Sequence, residues 1–150
     1  MTTIAYKDGV IARDSRAVDP TGFIVSDKEE KMREQDGVKF FCFGRAPDID
    51  KLMRAYFGEM LDPEKIVEAN AFAVDGGCLY TMGVENGEIF KNECMKDEIY
   101  SFGSGGDVAM GAMEAGCSAV EAVEIAKRRD SLTGGEVKTF ILDYEEKEIF

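Results

Sequence analysis

Thr2-Thr3-Ile4-Ala5-Tyr6-Lys7-Asp8-Gly9-Val10-Ile11-Ala12-Arg13-Asp14-Ser15-Arg16-Ala17 is the stretch that decides the fold. Asp-Gly favours a two-residue type I′ turn, because both central residues of that turn need a positive φ. Apolar runs flank it, so Thr3–Lys7 and Val10–Arg13 are predicted to pair as a β-hairpin. About such a turn, partner positions sum to seventeen. Thr2 and Asp14 sum to sixteen, which brings them almost opposite each other across the ladder.

Outward from the hairpin, Asp19-Pro20-Thr21-Gly22 reads as a turn and Phe23-Ile24-Val25 as a short strand. The charged segment Asp27 to Arg33 reads, on composition alone, as a solvated loop. Val38 to Phe43 is aromatic-rich and predicts a buried strand that stops at Gly44. Pro47 suits a first helical turn, and Ile49, Leu52, Met53, Tyr56 and Phe57 recur at helical spacing to about Leu61. Asp62-Pro63 opens a further short helix or a loop. Ala71–Val74 and Cys78–Val84 read as strands, the second joined through Asn86-Gly87 to Glu88-Ile89-Phe90, and Glu98–Phe102 as another. Gly106 to Asp130 is helical with a break at Gly116-Cys117-Ser118, where Ser118 and Glu121 fit a capping box. Val120, Val123 and Ile125 are expected on or near the buried face of the second of these helices. Val137–Leu142 and Glu148–Phe150 close the chain as strands. The order strands, helix, strands, helices, strands predicts layered sheets with helices outside them, and not a parallel βαβ sheet.

Length and composition bound the function. The 150 residues are expected to form one domain over 1–150. A net charge of −12 argues against nucleic acid or an anionic membrane surface as partner, since both are polyanions. No basic and then apolar leader opens the chain, so a cytoplasmic location is expected. The four cysteines, Cys42, Cys78, Cys94 and Cys117, lack paired short spacing, and no metal site is expected. Histidine is absent, which removes every Ser-His-Asp and Cys-His mechanism at once. A hydrolase built on this chain needs another base.

Three stretches invite chemistry: Thr2-Thr3-Ile4, Asp14-Ser15-Arg16-Ala17, and Gly103-Ser104-Gly105-Gly106 ahead of a helix. Arg129-Asp130-Ser131-Leu132-Thr133-Gly134-Gly135 joins them. Each alone is a common strand start, turn or flexible loop. In this order, and with Ser26 to Lys31 as an S-x-x-x-x-K segment, the chain resembles the proteasome β-subunit family and its bacterial relative, the HslV-type peptidase. The resemblance spans most of the chain and is weakest from about Leu61 to Glu98.

The resemblance implies an αββα four-layer Ntn-hydrolase fold and a nucleophile at Thr2, exposed as the N-terminus once Met1 is removed. The threonine hydroxyl would attack a peptide carbonyl while its own α-amine takes the proton. A free α-amine has a pKa of about 7.7–8.0, so it is partly neutral near pH 7 without any histidine. Asp14 and Lys31 match the family's acid and lysine beside the threonine, the lysine favouring the alkoxide. Gly44 matches the glycine whose N–H binds the oxyanion. Ser104, Asp130 and Thr133 match residues that support the amine. Arg45 stands where relatives usually carry a small residue, a change that would narrow the groove or favour acidic side chains.

The resemblance further implies assembly of the chain with itself into a ring or stacked rings. Unfolded polypeptide would be the substrate, an ATP-dependent unfoldase a partner by analogy, and no cofactor is required. Leu52, Tyr56 and Phe57 are expected either in the core or at subunit contacts. Three other readings compete: a catalytically inactive ring-forming subunit of the same fold, phosphate binding at Gly103–Gly106, and an amidase acting on small amides. Phosphate binding lacks a Walker lysine, and nothing resembles the cysteine start of such amidases.

Overall fold

The computed structural model describes residues 2–142; the strand expected over 148–150 lies outside the described residues. The first hairpin forms as its turn chemistry dictates. Strands β1 (Thr3–Lys7) and β2 (Val10–Arg13) pair antiparallel from Ile4↔Arg13 to Lys7↔Val10. Asp8 and Gly9 both take positive φ, 51° and 80°, as a type I′ turn requires. Short strands β3 (Ala17–Val18) and β4 (Ile24–Ser26) pair as a separate ribbon. Next come β5 (Met32–Gln35), β6 (Val38–Gly44) and helix α1 (Ala46–Tyr56). A meander of β7 (Ala69–Asp75), β8 (Cys78–Glu85) and β9 (Glu88–Glu93) follows. Then β10 (Tyr100–Gly103), α2 (Gly106–Glu114), α3 (Ala119–Arg129) and β11 (Lys138–Ile141) complete the described elements.

The strands form two principal antiparallel sheets, one ordered β10-β1-β2-β11 and one ordered β5-β6-β7-β8-β9. This is an α+β architecture. Strand alternation sorts the side chains into three apolar clusters. Ile4, Tyr6 and Ile11 of the first sheet meet Phe41, Phe72 and Leu79 of the second. The opposite face of the first sheet, Ala5 and Ala12, meets Ala109 and Met113 of α2 and Ala119, Ala122 and Val123 of α3. The opposite face of the second sheet, including Phe40, Cys42, Ala71, Ala73 and Met82, meets Ile49, Leu52 and Met53 of α1. Large rings fill the space between sheets, while alanines on the helix side of β1 and β2 allow close helix approach. Fully burying a ring such as Phe41 or Phe72 contributes roughly 1.5–3 kcal/mol each.

Several expectations are corrected. The charged segment 27–33 is not a solvated loop throughout: Lys31 is only 8% exposed, and β5 begins at the next residue. The pairing of β5 with β6 rescues it, through a turn at Asp36-Gly37 with both φ positive. Helix α1 ends at Tyr56, five residues before Leu61, where Gly58 takes φ 102° and its N–H bonds the Ala55 carbonyl. Of the two alternatives at Asp62-Pro63, the loop forms, running to β7. In α3, alanines 119, 122 and 126 line the buried face with Val123, and Val120 and Ile125 are half-buried near it, in keeping with the expectation. Leu52 is fully buried within the chain's own core, and Tyr56 and Phe57 set their edges against Phe40. The capping box stands as expected: Glu121 N–H donates to Ser118 Oγ, and Ser118 N–H to Glu121 Oε1. Among the described residues no helix is long and apolar enough to cross a membrane.

Candidate active site

Two carboxylates, Asp14 fully buried and Asp130 half-buried, organise the end of the first hairpin. The register of β1 and β2 continues one pair beyond the strands, since Asp14 N–H donates to the Thr3 carbonyl at 3.2 Å. Asp14 is fully buried, and its carboxylate accepts from one charged side chain and three backbone donors among the described residues. Oδ1 accepts from Lys31 Nζ at 2.7 Å and from Thr3 N–H at 3.0 Å. Oδ2 accepts from Gly134 N–H at 3.0 Å and Arg16 N–H at 3.3 Å. Because Lys31 and the Thr3 amide share one oxygen, the ammonium lies within two hydrogen bonds of the peptide joining Thr2 to Thr3. Burial pulls the Lys31 pKa below its ordinary value, while the Asp14 charge and hydrogen bond resist that fall.

The second carboxylate, Asp130, caps the C-terminus of α3. Its Oδ2 accepts from the hydroxyls of Ser104 at 2.5 Å and Thr133 at 2.6 Å, and its Oδ1 accepts from Leu132 N–H. Burial works to raise its pKa, yet the Ser104 and Thr133 hydroxyls hold the carboxyl below the usual range. Thr133 is 1% exposed, and its hydroxyl sits 2.7 Å from that of Thr3.

Glycines let these pieces approach. Strand β10 pairs with β1 at Thr3↔Gly103, so Ser104 follows opposite Thr2. Gly103 has φ 97°, and a Cβ there would overlap the Thr2 carbonyl oxygen. A Cβ on Gly105 would overlap the Thr3 hydroxyl. A Cβ on Gly134 would meet the Arg16 guanidinium, which forks onto Asp27 at 2.8 and 3.2 Å and donates to the Ser131 carbonyl. Ser15 completes this seam by donating to the Glu136 carbonyl. The D-S-R-A, G-S-G-G and R-D-x-x-T-G-G stretches, far apart in sequence, are thus one packed unit around residues 2 and 3.

Gly44 reaches the same end from the other sheet. Phe43 stacks on Phe102 at 5.4 Å between centroids, so β6 faces β10 where those rings meet. Cys42 N–H donates to the Lys31 carbonyl and Arg45 N–H to the Glu68 carbonyl. Alternation along the strand therefore turns the Gly44 N–H toward the β5 side, beyond the point where β5 begins. A Cβ on Gly44, whose φ is 125°, would overlap the Glu68 carbonyl. Arg45 is well exposed beside it and approaches the buried Asp48 only to 4.0 Å.

Asp14, Lys31, Ser104, Asp130 and Thr133 are accordingly gathered about Thr2 and Thr3, while Gly44 lies on the facing sheet, one residue past the Phe43–Phe102 stack. Sequence reasoning missed Thr3, Arg16 and the Gly134 N–H. Thr3 was signalled by alternation alone, since it shares the Ala5 face of β1, and the backbone donors leave no mark in a sequence. Among the described residues no group of three or more cysteine, aspartate or glutamate side chains could hold a metal.

No protein-family model and no curated protein matches the chain. Solved structures do. Thiobacillus denitrificans BPH in complex with epoxomicin matches with a TM-score of 0.69 at 18% identity, over 97% of this chain and 99% of that one. A second structure of Thiobacillus denitrificans BPH gives 0.67 at 18% identity, over 96% and 98%. Eukaryotic HslV from Trypanosoma brucei gives 0.67 at 18% identity, over 95% and 98%. The chain shares the fold of these proteins over 95–97% of its length.

Proposed function

We propose that this chain is an N-terminal-threonine endopeptidase subunit of a self-compartmentalising, HslV-like or proteasome-like protease. Its three apolar interfaces then correspond to the αββα four-layer arrangement of Ntn hydrolases. The observation that carries the reading is the buried Lys31–Asp14 pair at 2.7 Å, tied through the same oxygen to the amide that follows Thr2. A buried ion pair of this kind is costly to form and contributes little net stability, so it suits a site better than a scaffold.

In this proposal Met1 is removed and Thr2 carries a free amine. Thr2 Oγ attacks the peptide carbonyl carbon as its proton passes to the α-amine, directly or through a water. The tetrahedral oxyanion is held by the Gly44 N–H; one such donor is worth about 2.7–4 kcal/mol in the transition state. Collapse breaks the C–N bond, the leaving amine takes the proton from the Thr2 ammonium, and an ester to Thr2 remains. Water, deprotonated by the same amine, then releases the carboxylic acid product and restores the hydroxyl. The Lys31 ammonium lowers the cost of negative charge on Oγ, and Ser104, Asp130 and Thr133 orient the amine.

Rings of this subunit, enclosing the sites and fed with unfolded polypeptide by an ATP-driven unfoldase, complete the proposal, with a cytoplasmic location. The test is N-terminal mass analysis followed by fluorogenic peptide hydrolysis and epoxyketone labelling of the wild type and Thr2→Ala. Cleavage and labelling that vanish in Thr2→Ala support the reading. A folded wild type bearing Thr2 at its N-terminus, yet neither cleaving nor labelling, refutes it and leaves the inactive ring subunit, which the exposed Arg45 beside Gly44 would suit.

A further inference from the structure

Thr3 joins the two carboxylate networks. Its N–H donates to Asp14 Oδ1, the oxygen that also holds Lys31. Its hydroxyl meets the Thr133 hydroxyl at 2.7 Å, and proton counting sets the direction of that bond. Thr133 owns a single hydroxyl proton and gives it to Asp130 Oδ2 at 2.6 Å, so Thr3 must be the donor to Thr133. A one-way chain results, from the Thr3 hydroxyl to the Thr133 hydroxyl to Asp130, where Ser104 also donates. Thr3 is fully buried, and Gly105 closes over its hydroxyl so tightly that a Cβ would overlap it. A strand residue needed only for packing could be valine here, because valine has the same shape and a higher preference for strands. The hydroxyl has a different use.

We propose that Thr3 is a positioning residue for the threonine-peptidase reaction: its amide and hydroxyl hold the Asp14–Lys31 and Asp130–Thr133–Ser104 groups in fixed relation on either side of Thr2. This rests on the function proposed above. The donated hydrogen bond also polarises Thr133 toward Asp130 and tempers the carboxylate's charge. Without it, Asp130 would attract the neighbouring Thr2 ammonium more strongly and keep it protonated to higher pH.

The experiment compares wild type, Thr3→Val and Thr3→Ser, each confirmed by mass to begin at Thr2, by the pH dependence of kcat/KM on a fluorogenic peptide. Thr3→Val is expected to lose about tenfold in kcat with KM little changed, the scale of one lost hydrogen bond in an oriented site. Its acid limb should move to higher pH, and Thr3→Ser should restore both. If valine does not fold, Thr3→Ala carries the same expectation. A Thr3→Val enzyme with wild-type kcat and an unmoved acid limb overturns the proposal, as does a serine variant no better than valine, since the loss would then follow bulk and not the hydroxyl. An inactive and unlabelled wild type removes the peptidase reading itself, and this inference with it. An active wild type with an indifferent residue 3 removes this inference alone.

Discussion

The Asp14–Lys31 pair permits a stability prediction that needs no assumption about catalysis. The two side chains are 0% and 6% exposed, so removing either partner deprives a buried charge of this pairing. Breaking a buried pair in this way costs roughly 3–5 kcal/mol. The structure ranks the two halves. In Lys31→Met, Asp14 keeps the N–H groups of Thr3, Gly134 and Arg16, so about 3 kcal/mol is expected, at the low end. In Asp14→Asn, one end of the side chain becomes an NH2 group. Oδ1 already faces two donors and Oδ2 faces two more, so either orientation points donor at donor. That variant should lose about 4–5 kcal/mol. Urea unfolding at pH 7 and fixed protein concentration measures both, read as shifts in midpoint at constant m. For a chain of this size, 3 kcal/mol corresponds to a fall in Tm of about 6–12 °C. A loss below about 1 kcal/mol in both variants would refute the reasoning, because that is the behaviour of a solvated pair. The reverse ranking would refute the donor count around Asp14.

Glycine substitutions should separate sharply: Gly103→Ala, which forces a Cβ into the Thr2 carbonyl at positive φ, should cost more than about 2 kcal/mol. Gly111→Ala, in open space within α2, should instead stabilise by about 0.5–1 kcal/mol in the same denaturant assay. Thiol labelling with iodoacetamide at pH 8 should modify Cys78 and Cys117 first, because burial pushes the Cys42 thiol up to about 12 and that of Cys94 up to about 11. Early labelling of Cys42 would contradict the packing of β6 against α1. Asp130 has a folded pKa below its unfolded value, so its stabilising contribution is present above the unfolded pKa and lost as pH falls through the folded one. Thermal melts between pH 7 and pH 2 should therefore show less acid dependence in Asp130→Asn than in wild type; identical profiles would contradict the hydrogen-bonded carboxylate.

The sequence alone determined what is decided within a few residues. Asp8-Gly9 and Asn86-Gly87 specify their hairpins because only residues tolerant of positive φ make the turn. Ser118 and Glu121 specify a helix start because the Ser118 hydroxyl accepts from the Glu121 N–H and the Glu121 carboxylate from the Ser118 N–H, satisfying two amides at the helix start. The hairpin arithmetic brought Asp14 beside residues 2 and 3, since register follows from the turn. Tertiary structure alone decided the fate of Lys31: its glutamate neighbours suggest solvent, and only the pairing of β5 with β6 turns it inward onto Asp14. The same holds for Thr3, whose hydroxyl acquires a partner from residue 133, and for the Gly134 N–H at Asp14. Burial and hydrogen-bond partnership across more than a hundred residues are properties of how sheets and loops close on one another, and a linear pattern of residue types carries them only where a turn or cap is near.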